Sequence, residues 1–121
     1  MQIIKRNKDE IQVVNILVYA ENRDVLWKYR DLLYGIENRI AHRLELTLTC
    51  QPKTVLEVIE FLHGELDIYV SDHLERIKTL DFLEWKIHQK YPECRIVVNG
   101  LQTEKNLDQL FIKWIGELKC E

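Results

Sequence analysis

The apolar residues of this chain follow two periods that alternate along its length. Four short apolar runs have the spacing of strands, and they span residues 13–19, 44–49, 66–70 and 95–98. After each run, apolar residues recur at the i, i+3, i+4 spacing of one helix face, starting at Val25, Val55, Leu80 and Leu107. Four strands alternating with four helices predict an α/β fold, a three-layer sandwich whose mostly parallel four-stranded sheet is flanked by helices.

Glycine and proline mark the ends of the predicted helices. The first helix is expected to close near Gly35, and the second to open at Pro52 and end at Gly64. The third runs from about Thr79 to Lys90, and Pro92 separates it from the fourth strand. These breaks support the order of elements that the apolar pattern indicates.

The chain has 121 residues, which fits one compact domain. With only 4 Gly and 2 Pro, it has no composition typical of a linker or a disordered segment. We assign residues 13–121 to the α/β domain and residues 1–12 to an N-terminal arm or an extra edge strand. The sequence leaves both possibilities for residues 1–12 open.

Charge and composition favour a soluble cytoplasmic protein. Against 20 acidic residues stand 17 Lys and Arg, so the net charge of −3 offers no basis for direct nucleic-acid binding. No apolar run approaches the length of a membrane helix, and no apolar signal-peptide region follows the basic N-terminus. Cys50, Cys94 and Cys120 are odd in number and far apart, which is typical of reduced thiols.

Polar residues follow the predicted strands at the edge where parallel sheets bind ligands. Glu21 and Asp72 each come directly after a buried strand, and these two strands are expected to be neighbours. Two carboxylates brought together there could hold Mg²⁺. They could equally be ordinary acids of a helix N-terminus, which the positive end of the helix dipole favours.

Residues 15–22 and 66–72 resemble the first and third strands of a response-regulator receiver domain, and residues 92–98 resemble the approach to its fourth strand. The resemblance covers about residues 13–101. It implies a flavodoxin-like fold, with Asp72 as the phosphoacceptor and with Glu21 and Asp72 as Mg²⁺ ligands.

The chain departs from the receiver pattern at several positions. The first residue of the acidic pair is Ala20, and the hydroxyl residue expected after the fourth strand is Asn99 or Gly100. Only 21 residues follow Gly100, enough for one helix, so we expect a fold shortened after the fourth strand. The family's phosphate-contacting lysine has no direct counterpart, although Lys105 could approach the pocket. Asn22, Asn99 and Lys105 are therefore the expected supporting residues.

These departures favour a degenerate receiver. Phosphoryl transfer depends on cations that neutralise developing charge, and this chain lacks one Mg²⁺ carboxylate and the assured lysine. We expect a non-catalytic, phosphorylation-independent regulatory module (a pseudo-receiver) without a cofactor, which acts through protein–protein contacts. The alternative is a Mg²⁺-dependent phosphoacceptor of a two-component relay that uses Asp72. A small-ligand binder at the strand ends is a third possibility.

The expected partner is another protein or a second copy of this chain, bound through the sheet edge or the last helix. Loss of a fifth strand would leave the fourth strand as an edge that needs covering. Four aromatic or imidazole side chains carry further expectations. His73 is expected to face solvent and Trp114 to belong to the core. Phe82 and Trp85 lie off the apolar line of their helix, so either one of them is exposed or they form a second buried stripe.

Overall fold

The computed structural model describes residues 12–75 and 77–118. Its strands are β1 (Gln12–Ala20), β2 (His42–Thr49), β3 (Ile68–Asp72) and β4 (Arg95–Val98). Its helices are α1 (Arg23–Glu37), α2 (Pro52–Phe61), α3 (Lys78–Lys90), α4 (Gly100–Thr103) and α5 (Leu107–Leu118). The four-residue helix α4 was not expected from the apolar pattern. Of the predicted N-terminal arm, Gln12 belongs to β1, and residues 1–11 lie outside the described part of the chain.

The four described strands form one parallel sheet in the order β2-β1-β3-β4. This confirms the predicted α/β class, and the order is that of a flavodoxin-like sheet that stops at its fourth strand. The register places Ala20 opposite Asp72, so the ends of β1 and β3 lie side by side. Among the described strands, β2 and β4 are the edges of the sheet, and the edge position of β4 is the one that the sequence analysis predicted.

Alternation along β1 creates a core on each face of the sheet. Val14, Ile16 and Val18 are buried against α1 and α5, whereas Leu17 and Tyr19 are buried against α2 and α3. Because the strand is covered on both faces, it reads as a continuous apolar run in the sequence. Each such side chain contributes about 1.5–3 kcal/mol when it is fully buried.

The helices largely begin and end where the sequence indicates. Asn22 caps α1, and Pro52 occupies the first turn of α2. Helix α1 continues two residues past Gly35, to Glu37, because this glycine lies on the exposed face and introduces no break. Helix α3 ends at Lys90, before Tyr91 and Pro92.

Three aromatic side chains are more exposed than the apolar pattern predicts. Trp114 is half-buried at the margin of the core, because Phe111 and Ile115 occupy the inward stripe of α5. Phe82 and Trp85 are both exposed, and their rings stack with centroids 6.1 Å apart. Within the described residues, no helix has the length and apolar character needed to cross a membrane.

Candidate functional site: a hydrogen-bonded strand-end network

The candidate site lies where β1 and β3 end together. The backbone N–H of Glu21 donates to the backbone carbonyl of Asp72 over 3.1 Å, which extends the pairing of the two strands by one residue. A crevice of about 310 Å³ opens at this point, and its lining includes Glu21, Asn22, Val25, Asp72, Leu74 and Gln102. The crevice lining thus includes three of the five site residues that the sequence predicted, namely Glu21, Asn22 and Asp72.

Asp72 is bound by a buried tyrosine. The hydroxyl of Tyr29, on α1, donates to Asp72 Oδ2 over 2.6 Å, and the same hydroxyl oxygen accepts the backbone N–H of Leu101 over 3.1 Å. Tyr29 is fully buried. Burial, followed by the hydrogen bond to Asp72, raises the pKa of Tyr29 well above its ordinary value. The phenol therefore keeps its proton at neutral pH and acts as a permanent donor to Asp72.

Glu21 and Asn22 serve the loops that they connect. Glu21 Oε1 accepts the backbone N–H of Leu74 over 2.8 Å and so ties the β3–α3 loop to the end of β1. Asn22 Oδ1 accepts the backbone N–H groups of Asp24 and Val25, at 2.7 and 3.3 Å, as the N-cap of α1. The N-cap of α1 is therefore Asn22, whereas the carboxylate of Glu21 binds the backbone of a loop and does not cap a helix.

Asn99 binds the same loop from the opposite side. Its Oδ1 accepts the backbone N–H of His73 over 2.8 Å, and its own N–H donates to the carbonyl of Ser71 over 2.8 Å. Asn99 has a left-handed backbone, with φ 54° and ψ 44°, a conformation that asparagine tolerates better than most residues. The turn starts α4 and places the N–H of Leu101 against Tyr29.

Lys105 lies apart from this network. It is exposed in the turn between α4 and α5, and it is absent from the crevice lining that the structure defines. Among the described residues its ammonium group makes no hydrogen bond or ion pair with Asp72.

His73 is buried, with 5% of its surface exposed, so the expectation of a solvent-facing side chain is wrong. Asn99 Oδ1 holds the backbone N–H of His73 beside the end of β4, so the residue directly after β3 stays within the folded strand-end network. Within the described residues, neither ring nitrogen of His73 has a hydrogen-bond partner. Tyr29 and His73 are the site residues that sequence reasoning missed. Each resembles an ordinary helix or loop residue until the strand and helix are placed together.

These contacts bear on whether the crevice fits Mg²⁺. Ala20 offers no side-chain oxygen, Asp72 Oδ2 already accepts a phenol proton, and Glu21 Oε1 already accepts a backbone N–H. In the described part of the chain, no three His, Cys, Asp or Glu residues are grouped so that they could hold a metal ion. As arranged, the two carboxylates do not fit a receiver-type Mg²⁺ ion, because Ala20 supplies no third ligand and one oxygen of each carboxylate already accepts a hydrogen bond.

The comparisons with known proteins bear on the fold. No family model matches the chain, and no curated protein matches it. Among solved structures, it is similar to a pilus assembly-related protein from Burkholderia pseudomallei, with a TM-score of 0.52 and 19% sequence identity. The alignment covers 81% of this chain and 71% of that one. At this identity the likeness shows a shared α/β fold and nothing about activity.

Proposed function

We propose that this chain is a pseudo-receiver, a non-catalytic regulatory module that acts through protein contacts and does not depend on phosphorylation. The observation that carries the proposal is the 2.6 Å hydrogen bond between the buried Tyr29 hydroxyl and Asp72 Oδ2. A phosphoacceptor needs a carboxylate oxygen that is free to attack phosphorus. Here Asp72 Oδ2 accepts the phenol proton, and this hydrogen bond withdraws negative charge from the whole carboxylate, so that Oδ1 is a weaker nucleophile.

The surroundings of Asp72 also supply little positive charge. An acyl phosphate adds negative charge that receivers neutralise with a metal ion and a lysine. At this crevice Ala20 replaces a metal ligand, and Lys105 makes no contact with Asp72. Phosphorylation would therefore place charge in a poorly compensated position, which supports a module that stays unmodified.

Contact surfaces support the binding half of the proposal. The apolar face of α5 packs into the core, where Leu107, Phe111 and Ile115 are buried, so it does not offer a contact surface to a partner. In the described part of the chain, no further strand pairs with the outer edges of β2 and β4. Exposed apolar side chains such as Phe61 and Trp85 lie on the α2 and α3 layer. Large exposed apolar residues are typical anchors of protein interfaces. Of the two predicted contact surfaces, the sheet edge is therefore favoured over the last helix.

The solved neighbour is described as pilus assembly-related, and a role in assembly would be compatible with a contact module.

One observation favours the alternative, a Mg²⁺-dependent phosphoacceptor. Asp72 and Glu21 line the same crevice, and the Tyr29 contact leaves Asp72 Oδ1 outside it. A magnesium ion that displaced the phenol could reach both carboxylates. In this alternative, the hydrogen bond between Tyr29 and Asp72 Oδ2 has to break before the magnesium ion can bind both carboxylates.

An amide NMR titration with Mg²⁺ and then beryllofluoride, which mimics an acyl phosphate, separates the two functions. We expect no shifts at Glu21, Asp72, His73 or Asn99 at millimolar Mg²⁺, because Ala20 supplies no ligand and one oxygen of each carboxylate already accepts a hydrogen bond. Shifts clustered at these residues in the wild type would instead favour the phosphoacceptor. Tyr29→Phe is the informative variant, since it removes the donor from Asp72 and leaves the ring. A Mg²⁺ response only in this variant would identify the phenol as the group that blocks the site.

A further inference from the structure

Among the described residues, no strand pairs with the outer edge of β2, although the Glu37 side chain holds one of its outward N–H groups. The N–H of Leu44 points away from β1, because it donates to the Glu37 side chain at Oε2 over 2.7 Å. Backbone polar groups alternate in direction along a strand, so Leu46 and Leu48 present their N–H and C=O groups at the same free edge. The strand contains no proline, glycine or lysine, the residues that commonly protect an edge.

Both faces of this edge carry apolar surface. On the α1 side, Leu46 and Leu48 are only half-buried at the margin of the core. On the other side, a groove of about 460 Å³ runs between Thr47 and helix α2. Phe61, at the end of α2, lines this groove with 71% of its surface exposed. A strand added to the edge would therefore find apolar contacts on both of its faces.

We propose that a second copy of this chain occupies the edge, through antiparallel pairing of β2 with the partner's β2 about a two-fold axis at Leu44. In this register Arg43 lies opposite the partner's Glu45, and Glu45 lies opposite the partner's Arg43. Both side chains are exposed, at 66% and 49%, and within one chain they already pair at 3.2 Å. Residues 43 and 45 share one face of the strand, so the dimer forms two additional cross-strand charge pairs.

Charge also selects this register over its neighbours. A two-fold axis at Glu45 would place two Glu45 carboxylates against each other, which is destabilising. An axis at Leu46 would place Arg43 opposite Thr49 and remove the charge pairs. The axis at Leu44 meets the requirement of a two-fold interface, in which one patch must be complementary to itself.

Glu37 sets the strength of the association. Its carboxylate holds the Leu44 N–H of a single chain, whereas in the dimer that N–H donates to the carbonyl of the partner's Leu44. Pairing therefore exchanges one hydrogen bond for another at the axis, which keeps the dimer reversible. Glu37→Gln weakens the competing acceptor, since charged acceptors are stronger, and we expect it to tighten the dimer.

Sedimentation equilibrium over a concentration series tests the proposal through a charge swap. We expect the wild type to self-associate, and Arg43→Glu and Glu45→Arg each to weaken association by roughly tenfold, because like charges then meet twice at the axis. The double variant Arg43→Glu/Glu45→Arg restores the opposite charges and should return the wild-type dissociation constant. Lys113→Glu and Glu104→Arg make matched charge changes at exposed positions away from β2 and should have no effect.

Two results would overturn the proposal: a wild type that remains monomeric at millimolar concentration, and a double variant that associates as weakly as the single ones. Circular dichroism of each variant shows that it is folded, so that a lost dimer is not mistaken for a lost fold. The inference shares one premise with the proposed function, namely that this module acts through protein–protein contacts. A monomeric wild type would refute the dimer and leave the beryllofluoride result at Asp72 unchanged.

Discussion

At the scale of single residues, the phenol of Tyr29 connects three parts of the chain. Its hydroxyl donates to Asp72 and accepts from the N–H of Leu101, so one oxygen joins α1 to the end of β3 and to the start of α4. A buried acceptor or donor that loses its partner carries the full penalty of its desolvation. The functional argument about Asp72 and the stability of the site therefore depend on the same atom.

Removal of this hydroxyl should destabilise the protein. Tyr29→Phe leaves a buried carboxylate oxygen and the Leu101 N–H without their partner, and we expect the free energy of unfolding to fall by about 1–3 kcal/mol. Urea unfolding followed by circular dichroism measures this change. Tyr34→Phe is the matched control, because Tyr34 lies on the same helix with 48% of its surface exposed. Equal stabilities for the two variants would contradict the structural role of the Tyr29 hydroxyl.

At the scale of elements, the turn from β4 into α4 depends on the backbone of Asn99. Its φ of 54° lies in the left-handed region, and its side chain holds the N–H of His73. These are separate contributions, one conformational and one a hydrogen bond. Two substitutions can distinguish them.

Asn99→Ala and Asn99→Gly both remove the acceptor for the His73 N–H, but only alanine carries a Cβ into the left-handed region. We expect the alanine variant to be less stable than the glycine variant by about 1 kcal/mol, the cost of that conformation for a residue with a Cβ. Thermal or urea unfolding of the pair gives the difference directly. If the alanine variant proves as stable as the glycine variant, the left-handed backbone at this turn carries no such strain.

The elements show why the fold was more predictable than the site. A continuous apolar run such as residues 13–19 identifies a strand covered on both faces, because nearly every side chain of such a strand is buried and has to be apolar. The contact between Tyr29 and Asp72 joins residues 43 positions apart, and the apolar stripe of α1 marks position 29 only as inward-facing. His73 was misassigned for the same reason, since its N–H is held by Asn99, 26 positions away, and its burial depends on elements that are distant in the sequence. Glu21, Asn22 and Asp72 were found because the strand ends alone place them.

At the scale of the whole molecule, α1 and α5 together form the helical layer on one face of the sheet. Phe111 and Ile115 are fully buried in the cluster that includes Val18, Tyr29 and Val70, so the last helix covers the face of the sheet next to the candidate site. A sheet of four strands has limited area to share between two layers. The loss of either layer would expose a face composed almost entirely of aliphatic side chains.

Phe111→Ala should therefore affect the entire domain. Truncation of a fully buried phenylalanine costs about 3–5 kcal/mol through lost burial and the cavity that remains, and domains of this size have only about 5–15 kcal/mol in total. We expect a large shift of the urea midpoint, and the amide signals of the strand-end network should broaden or disappear at lower denaturant than in the wild type. Phe82→Ala removes the same side chain from an exposed position and should change the midpoint little. Loss of α5 signals alone, with the strand-end network intact, would show instead that α5 unfolds as a separate unit and that the sheet and α1 are stable without it.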